Sequence, residues 1–215
     1  MTGAADDRVV QTPATGCLCT RRRRMKRLWA FALFFVVITG WSQINDVRLQ
    51  LQLLPGQAME LELSSGDYRI EPGVADKIIV ISKSQPQQQK PHFGIDTNSK
   101  EASVRVEAPK NYAAVIQVPR NSTLKVRLNG GSLSVAGIEG DKDIESSAGD
   151  VSIDVGQPEN YNRVDASVDM GLIDAPPFQV AQNGVERSFI RRGPGSYHLH
   201  AHVGTGEIRL YSGVL

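Results

Sequence analysis

The chain has 215 residues, which is long enough for one domain with an apolar core or for two very small ones. Aromatic residues make up only 6% of it, so the core must be built mainly from Val, Ile and Leu. Seven of the 24 basic residues but only two of the 23 acidic ones precede Gln43, which leaves the rest of the chain with a net charge of about −4 and excludes a basic surface for nucleic acid.

Residues 25–42 have the order of a secretory signal peptide. Basic residues that end at Arg27 are followed by an apolar run and then by the small residues Gly40 and Ser42. The apolar run, residues 28–41, has 14 residues, whereas a helix that spans a bilayer needs about 20. We therefore predict a cleaved signal peptide, with an uncleaved anchor helix as the alternative.

The segments on either side of the signal follow from this interpretation. Residues 1–24 are polar and aperiodic, and since Met25 opens a signal of ordinary length, they are predicted to be disordered or an extension upstream of the true start. Both cysteines, Cys17 and Cys19, lie in that extension. Residues 43–215 are then a single exported domain that its core must hold without disulfides, located in the periplasm, the cell envelope or outside the cell.

Alternation of apolar and polar residues with period two dominates the predicted domain. This period is typical of β-strands with one buried face, and no window has the period of an amphipathic helix of three turns. Turn residues separate the strands, and a Gln- and Pro-rich stretch at residues 85–91 is predicted to be a mobile loop. We expect an all-β fold whose clearest strands are VRLQLQLL from Val47, AMELEL from Ala58, KIIVIS from Lys77, SVRVEA from Ser103, VIQVP from Val115 and LKVRL from Leu124.

A glycine followed by a short apolar alternation recurs along the chain. The recurring glycines are Gly66, Gly131, Gly149, Gly171 and Gly206, and the last three intervals are 18, 22 and 35 residues long. Intervals near 20 are typical of coils that cannot bury an apolar face alone and must stack. The pattern predicts a β-solenoid-like stack of short strands with glycine at each corner, with a β-sandwich as the alternative.

Two stretches, residues 115–155 and 193–210, resemble a family of bacterial adhesin-like domains of unknown function with β-strand repeats. The resemblance implies a curved, solenoid-like fold, a location in the envelope or outside the cell, and no established activity, so no family residues are transferred as catalytic. One departure is the run Asp141, Lys142, Asp143, where a plain repeat would have an alternating strand. We expect one coil to bulge there.

Three histidines, His198, His200 and His202, alternate in YHLHAHV near the end of the chain. Alternate residues lie about 6.6 Å apart on one face of a strand, so two neighbouring imidazoles could share a zinc or copper ion. The apolar residues between them place the histidines on the outward face. We interpret them as a solvated face rather than as a metal site.

Two acidic sets are weaker candidates. Asp141, Asp143 and Glu145 have the spacing of an oxygen-ligand calcium loop without its glycine. Asp150 and Asp154 are outward carboxylates of the kind that a glycan-cleaving enzyme uses in pairs. Neither set has a complete motif, so no catalytic, cofactor-binding or metal-binding residue is assigned from the sequence.

These observations favour an exported, non-enzymatic β-repeat protein that acts through its surface. The expected role is an adhesin or an envelope scaffold, and the expected partner is an extended glycan or protein rather than a nucleic acid. Contact with a membrane is expected only through residues 25–42, if they are not cleaved. A glycan-processing enzyme on the same scaffold and a membrane-anchored envelope sensor or assembly component are the alternatives.

Overall fold

A computed structural model describes residues 48–54, 56–83 and 90–213. The predicted signal, the extension before it and most of the predicted Gln- and Pro-rich loop lie outside these ranges. Within the described ranges, no helix has the length and apolar character that crossing a membrane requires. The strands are β1 (Arg48–Gln52), β2 (Ala58–Leu63), β3 (Gly66–Pro72), β4 (Lys77–Ser82), β5 (His92–Thr97), β6 (Glu101–Glu107), β7 (Tyr112–Val118), β8 (Leu124–Leu128), β9 (Gly131–Val135), β10 (Lys142–Asp154), β11 (Tyr161–Ala175), β12 (Val180–Arg192) and β13 (Tyr197–Tyr211).

All thirteen strands belong to one sheet, and its centre consists of parallel two-armed units. In some units the arms are consecutive strands, as in β6–β7, β2–β3 and β8–β9; in β10, β13 and β11 one long strand supplies both arms. First arms pair with first arms and second arms with second arms. Antiparallel strands complete the edges, with β5 on β6, β4 and β1 beyond β7, and β12 on β11.

The five recurrent glycines form one continuous row at the corner between the arms. Gly66 pairs with Gly131, Gly131 with Gly149, Gly149 with Gly206, and Gly206 with Gly171. At Gly149 the backbone φ is +112°, and an added Cβ would lie 1.8 Å from the carbonyl oxygen of Gly131. Both the left-handed backbone and the close approach of the next unit therefore require glycine, which confirms the predicted equivalence of these corners.

The side of the strand that is buried changes at each glycine corner. In β11, Val164, Ala166 and Val168 are buried before Gly171, whereas Ile173 and Ala175 are buried after it. The positive φ of Gly171, which Gly131, Gly149 and Gly206 share, turns the chain so that both arms direct their apolar side into one core. The same five positions relative to the glycine are buried in β2–β3 (Met59, Leu61, Leu63, Tyr68, Ile70), β8–β9 (Leu124, Val126, Leu128, Leu133, Val135), β10 (Lys142, Ile144, Ser146, Val151, Ile153) and β13 (Leu199, Ala201, Val203, Ile208, Leu210).

The all-β class is confirmed, but the chain does not wind as a plain solenoid. A solenoid adds its coils in chain order, whereas β13 lies between β10 and β11 in the sheet. The edge strands are antiparallel, and the thirteen strands form one nearly closed sheet around one core rather than the two separate sheets of a sandwich. The glycine spacing predicted the corners correctly, but it did not indicate the order of the units in the sheet.

The predicted bulge at residues 141–143 is wrong. Lys142 pairs in register with Leu124 on one side and Leu199 on the other. The register shift lies instead in β11, between Tyr161 and Arg163. Lys142 occupies an inward position of the repeat, and its charged side chain is buried without interrupting the strand.

The interior around Lys142 contains a specific partner for its ammonium group. Lys142 Nζ donates a hydrogen bond of 2.7 Å to Tyr161 Oη and one of 3.3 Å to the Gly140 carbonyl, and it lies 5.2 Å from the centre of the Tyr161 ring. Burial lowers the pKa of Lys142 to about 8 and raises that of Tyr161 above its usual range. The charge is therefore accommodated by polar contacts rather than by solvent.

Candidate functional site

The first arms of four adjacent units present charged side chains on one outward surface, which we call the charged face. The sign of the charge alternates from strand to strand: acidic residues on one strand lie beside basic residues on the next. The histidines of β13 take the place of the next basic strand. The charged face comprises Glu60 and Glu62 of β2, Lys125 and Arg127 of β8, Asp143 and Glu145 of β10, and His198, His200 and His202 of β13.

Ion pairs link the strands across this face. Lys125 Nζ lies 2.5 Å from Glu60 Oε1, and the guanidinium of Arg127 contacts Asp143 at 2.9 Å and Glu145 at 3.2 Å. The hydrogen bond from Arg105, on β6, lowers the pKa of the Glu62 carboxyl. Exposed pairs such as these are individually weak, but as an in-register network they fix the orientation of neighbouring side chains.

The three predicted histidines all lie on the outward side of β13, as the alternation indicated. His198 Nδ1 is 3.6 Å from a carboxylate oxygen of Asp141, and His202 lies 3.0 Å from Ser167 Oγ and 3.8 Å from an Asp169 oxygen. These two imidazoles therefore have partners on neighbouring elements. The structure does not turn the three rings toward one shared point.

The remaining histidine, His200, lies beside two of the acidic candidates. Donor atoms of Asp143, Glu145 and His200 are all within 4.8 Å of one another, and all three residues are partly buried. The juxtaposition arises because Asp143 pairs directly with His200 in the register of β10 and β13. In the sequence these residues belong to two separate candidate sets, since nothing local to either stretch shows that the two strands are neighbours.

The acidic triplet does not form the loop that a calcium site of this spacing would need. Asp143 and Glu145 lie on the extended strand β10, while Asp141 precedes the strand and accepts a hydrogen bond of 2.8 Å from the His198 backbone amide. Three carboxylates on an extended chain cannot surround one ion as a loop does. Asp141 therefore contacts the beginning of β13, whereas Asp143 and Glu145 contact Arg127.

A shallow groove of about 490 Å³ crosses the beginning of the charged face. Charged side chains and the first residues of the strands line the groove, and it is open to solvent rather than enclosed. The groove runs across several strands instead of ending in a pocket. Lining residues include Thr123, Lys125, Asp141, Asp143, Arg163 and His200.

The other acidic candidates, Asp150 and Asp154, lie on the second arm of β10. They are four residues apart on one strand, which places their backbones about 13 Å from each other. A pair of glycosidase carboxylates is at most about 9.5 Å apart. Asp154 also accepts a hydrogen bond of 2.8 Å from the Gly156 amide, which is a turn contact.

Comparison with known proteins identifies the fold of the chain without a family. No family model matches the chain, and no curated protein matches it. Among solved structures it is similar to one described as a putative cell adhesion protein from Clostridium sporogenes, with a TM-score of 0.50 and 14% sequence identity. The match covers 78% of this chain and 100% of that one, and at this identity it shows the fold alone.

Proposed function

We propose that this protein is exported and acts without catalysis, as an adhesin or envelope scaffold whose charged face binds an extended glycan or protein. The observation that carries the proposal is the charged face itself. Neighbouring strands are about 4.8 Å apart and alternate residues about 6.6 Å apart, so charged groups recur on a regular lattice. An extended ligand with repeating polar groups can contact several lattice positions at once.

The rigidity of the scaffold favours binding to such a ligand. The glycine row at the corner fixes the register of the parallel arms, and the buried apolar positions hold the outward side chains in place. Ion pairs order the charged groups before the ligand arrives, which lowers the entropy lost on binding. The likeness in fold to a protein described as a putative cell adhesion protein agrees with this role.

The geometry of the carboxylates favours binding over glycan cleavage. A glycosidase brings two carboxylates to opposite sides of one bond, at a separation of about 5 to 9.5 Å. The backbones of Asp150 and Asp154 are about 13 Å apart on one strand, and both side chains share its open outward surface rather than facing each other across one bond. On the charged face, the carboxylates of Asp143 and Glu145 are paired with Arg127.

Export rests on the signal-like segment at residues 25–42. Fractionation of cells that express the full chain, with N-terminal sequencing of the product, tests it directly. A mature protein that begins at Gln43 outside the cytoplasm supports export. An intact N-terminus in the membrane fraction would favour the anchored sensor or assembly component, and an intact N-terminus in the cytoplasm would overturn the proposal.

Binding can be tested by cosedimentation with purified peptidoglycan sacculi and by a glycan array. The double variant Lys125→Gln, Arg127→Gln removes the basic row of the charged face. The matched control Arg69→Gln, Arg209→Gln removes two outward arginines from the second arms. Loss of binding in the first variant and retention in the control is expected, and equal behaviour of the two would show that the charged face is not the binding surface.

A further inference from the structure

We propose that Asp143, Glu145 and His200 form a binding site for a divalent transition-metal ion such as Zn²⁺ on the charged face. Their carboxylate and imidazole donor atoms lie within 4.8 Å of one another. The three residues come from two strands whose backbones are locked in register from Lys142 to Asp154. Two oxygen ligands and one nitrogen ligand form a set that zinc accepts.

The geometry needs only side-chain rotation to accept an ion. Zinc lies about 2.0 to 2.2 Å from nitrogen and oxygen ligands, so the ligand atoms of a tetrahedral site are roughly 3.4 Å apart. A separation of up to 4.8 Å can contract to this value by turning the partly exposed side chains about their χ angles. The fourth position would face solvent and could hold water or a donor atom from a ligand on the charged face.

Arg127 orients both carboxylates beside the imidazole. Its guanidinium donates hydrogen bonds of 2.9 and 3.3 Å to the two oxygens of Asp143, and its Nε lies 3.2 Å from Oε2 of Glu145. Carboxylates that bind metals are commonly held by such outer hydrogen bonds. The positive charge of Arg127 opposes the ion, so the site should bind zinc more weakly than a structural zinc site does.

The proposed site differs from chelation by adjacent histidines of one strand. His198 is turned toward Asp141 and His202 toward Ser167, so each has a different partner. Imidazole nitrogen favours zinc, copper or nickel over calcium, which prefers oxygen ligands alone. Binding of the ion should therefore require His200 and Glu145 and should not require His198 or His202.

Isothermal titration of the full chain with Zn²⁺ tests the site. The protein is purified without a histidine tag and carries Cys17→Ser and Cys19→Ser in every sample, so that thiols contribute no ligands. One ion per chain is expected, and Glu145→Gln and His200→Ala should each weaken its affinity at least about tenfold. Three control substitutions should leave the affinity within about twofold: His198→Ala, His202→Ala and Asp165→Asn. Asp165 pairs with His200 from β11, on the side away from Asp143.

Three results would overturn the assignment. These are no binding at about 100 µM Zn²⁺, an equal loss of affinity in His198→Ala or His202→Ala, and binding of Ca²⁺ as tight as that of Zn²⁺. Far-UV circular dichroism establishes that each variant is folded, and both key substitutions lie on the partly exposed surface. The measurement uses the metal alone, so its result is independent of whether the charged face binds a glycan or a protein.

Discussion

The neighbouring strands β10 and β13 have the same corner and register but different interiors. Gly149 pairs with Gly206, and the five inward positions of one strand lie directly beside those of the other. In β13 all five are apolar, whereas β10 has Lys142 at the first and Ser146 at the third. The backbone template therefore depends on the corner glycine and the alternation, while an inward position accepts a polar residue that finds a partner.

The two polar residues of β10 are partnered in different ways. Lys142 reaches Tyr161 of β11, which lies two strands away, beyond β13. Ser146 donates a hydrogen bond of 3.1 Å to the Ala148 carbonyl, close to its own corner. Because both groups are satisfied, β10 keeps the strand geometry of its apolar neighbour. Substitutions at the corner and at Lys142, and the pH dependence of stability, can separate what the two strands share from what differs between them.

Gly149→Ala should have the largest effect, since it removes the feature that the two strands share. Its Cβ would lie 1.8 Å from a backbone oxygen of Gly131, which only a shift of the whole unit can relieve. We expect a loss of about 4 kcal/mol or more in the free energy of unfolding, measured with urea.

Gly156→Ala is the matched control for the corner. Gly156 also has a positive φ, +59°, but an added Cβ would meet nothing within 4 Å. The substitution should therefore cost only about 1 to 2 kcal/mol, the price of the backbone conformation alone. Equal losses in Gly149→Ala and Gly156→Ala would mean that the close approach of the units does not require glycine.

Lys142→Ala should be the next most destabilising change. It leaves a cavity in the core and removes the hydrogen-bond donor to the Tyr161 hydroxyl, and we expect a loss of about 3 kcal/mol. Leu199→Ala truncates the equivalent position of β13 and should cost a similar amount. A loss below about 1 kcal/mol for Lys142→Ala would show that its buried stem adds little to the packing.

The pH dependence of stability should distinguish β10 from β13, because β13 has no ionisable group at its inward positions. Burial holds the pKa of Lys142 at about 8, below its ordinary 10.5, although Asp154, Asp141 and Glu139 offset part of the effect. Below pH 8 the ammonium is protonated in both states and the full cost of burying the charge is present. Between pH 8 and 10.5 the folded protein releases the proton more readily than the unfolded chain, so the stability rises.

The rise should end between about pH 9 and 10, because burial raises the pKa of Tyr161, Tyr68, Tyr112 and Tyr211, so the unfolded chain ionises these tyrosines first. Urea denaturation should show a gain of roughly 1 to 2 kcal/mol between pH 7 and this maximum. The same series with Lys142→Met should lack the gain. A flat profile in the parent protein would contradict the burial of a protonated Lys142.

Lys142→Met should have the smallest effect at neutral pH. Met59 occupies the same position in β2, so the volume and shape suit the core. Replacing a buried charge by an apolar side chain of similar size is commonly neutral or favourable, and we expect a stability within about 1 kcal/mol of the parent or somewhat above it. A loss of about 3 kcal/mol or more would show instead that the contact with Tyr161 is strongly stabilising.

The alternation and the glycines determined the local features of this protein. Period two placed His200 on an outward face and Val151 in the core, because successive side chains of a strand point to opposite sides. A glycine such as Gly149 indicated a corner because its positive φ is a local property of the backbone. Strand composition and corner positions therefore followed from residues close together in the chain.

Only the tertiary structure decided which strands are neighbours. The insertion of β13 between β10 and β11 brings His200 beside Asp143, and the packing of Tyr161 in the core gives Lys142 its partner. Both depend on contacts between residues far apart in sequence, and a parallel strand can pair with any strand of matching pattern. The free energy of burying the whole core selects one order, and no single segment of the chain carries that information.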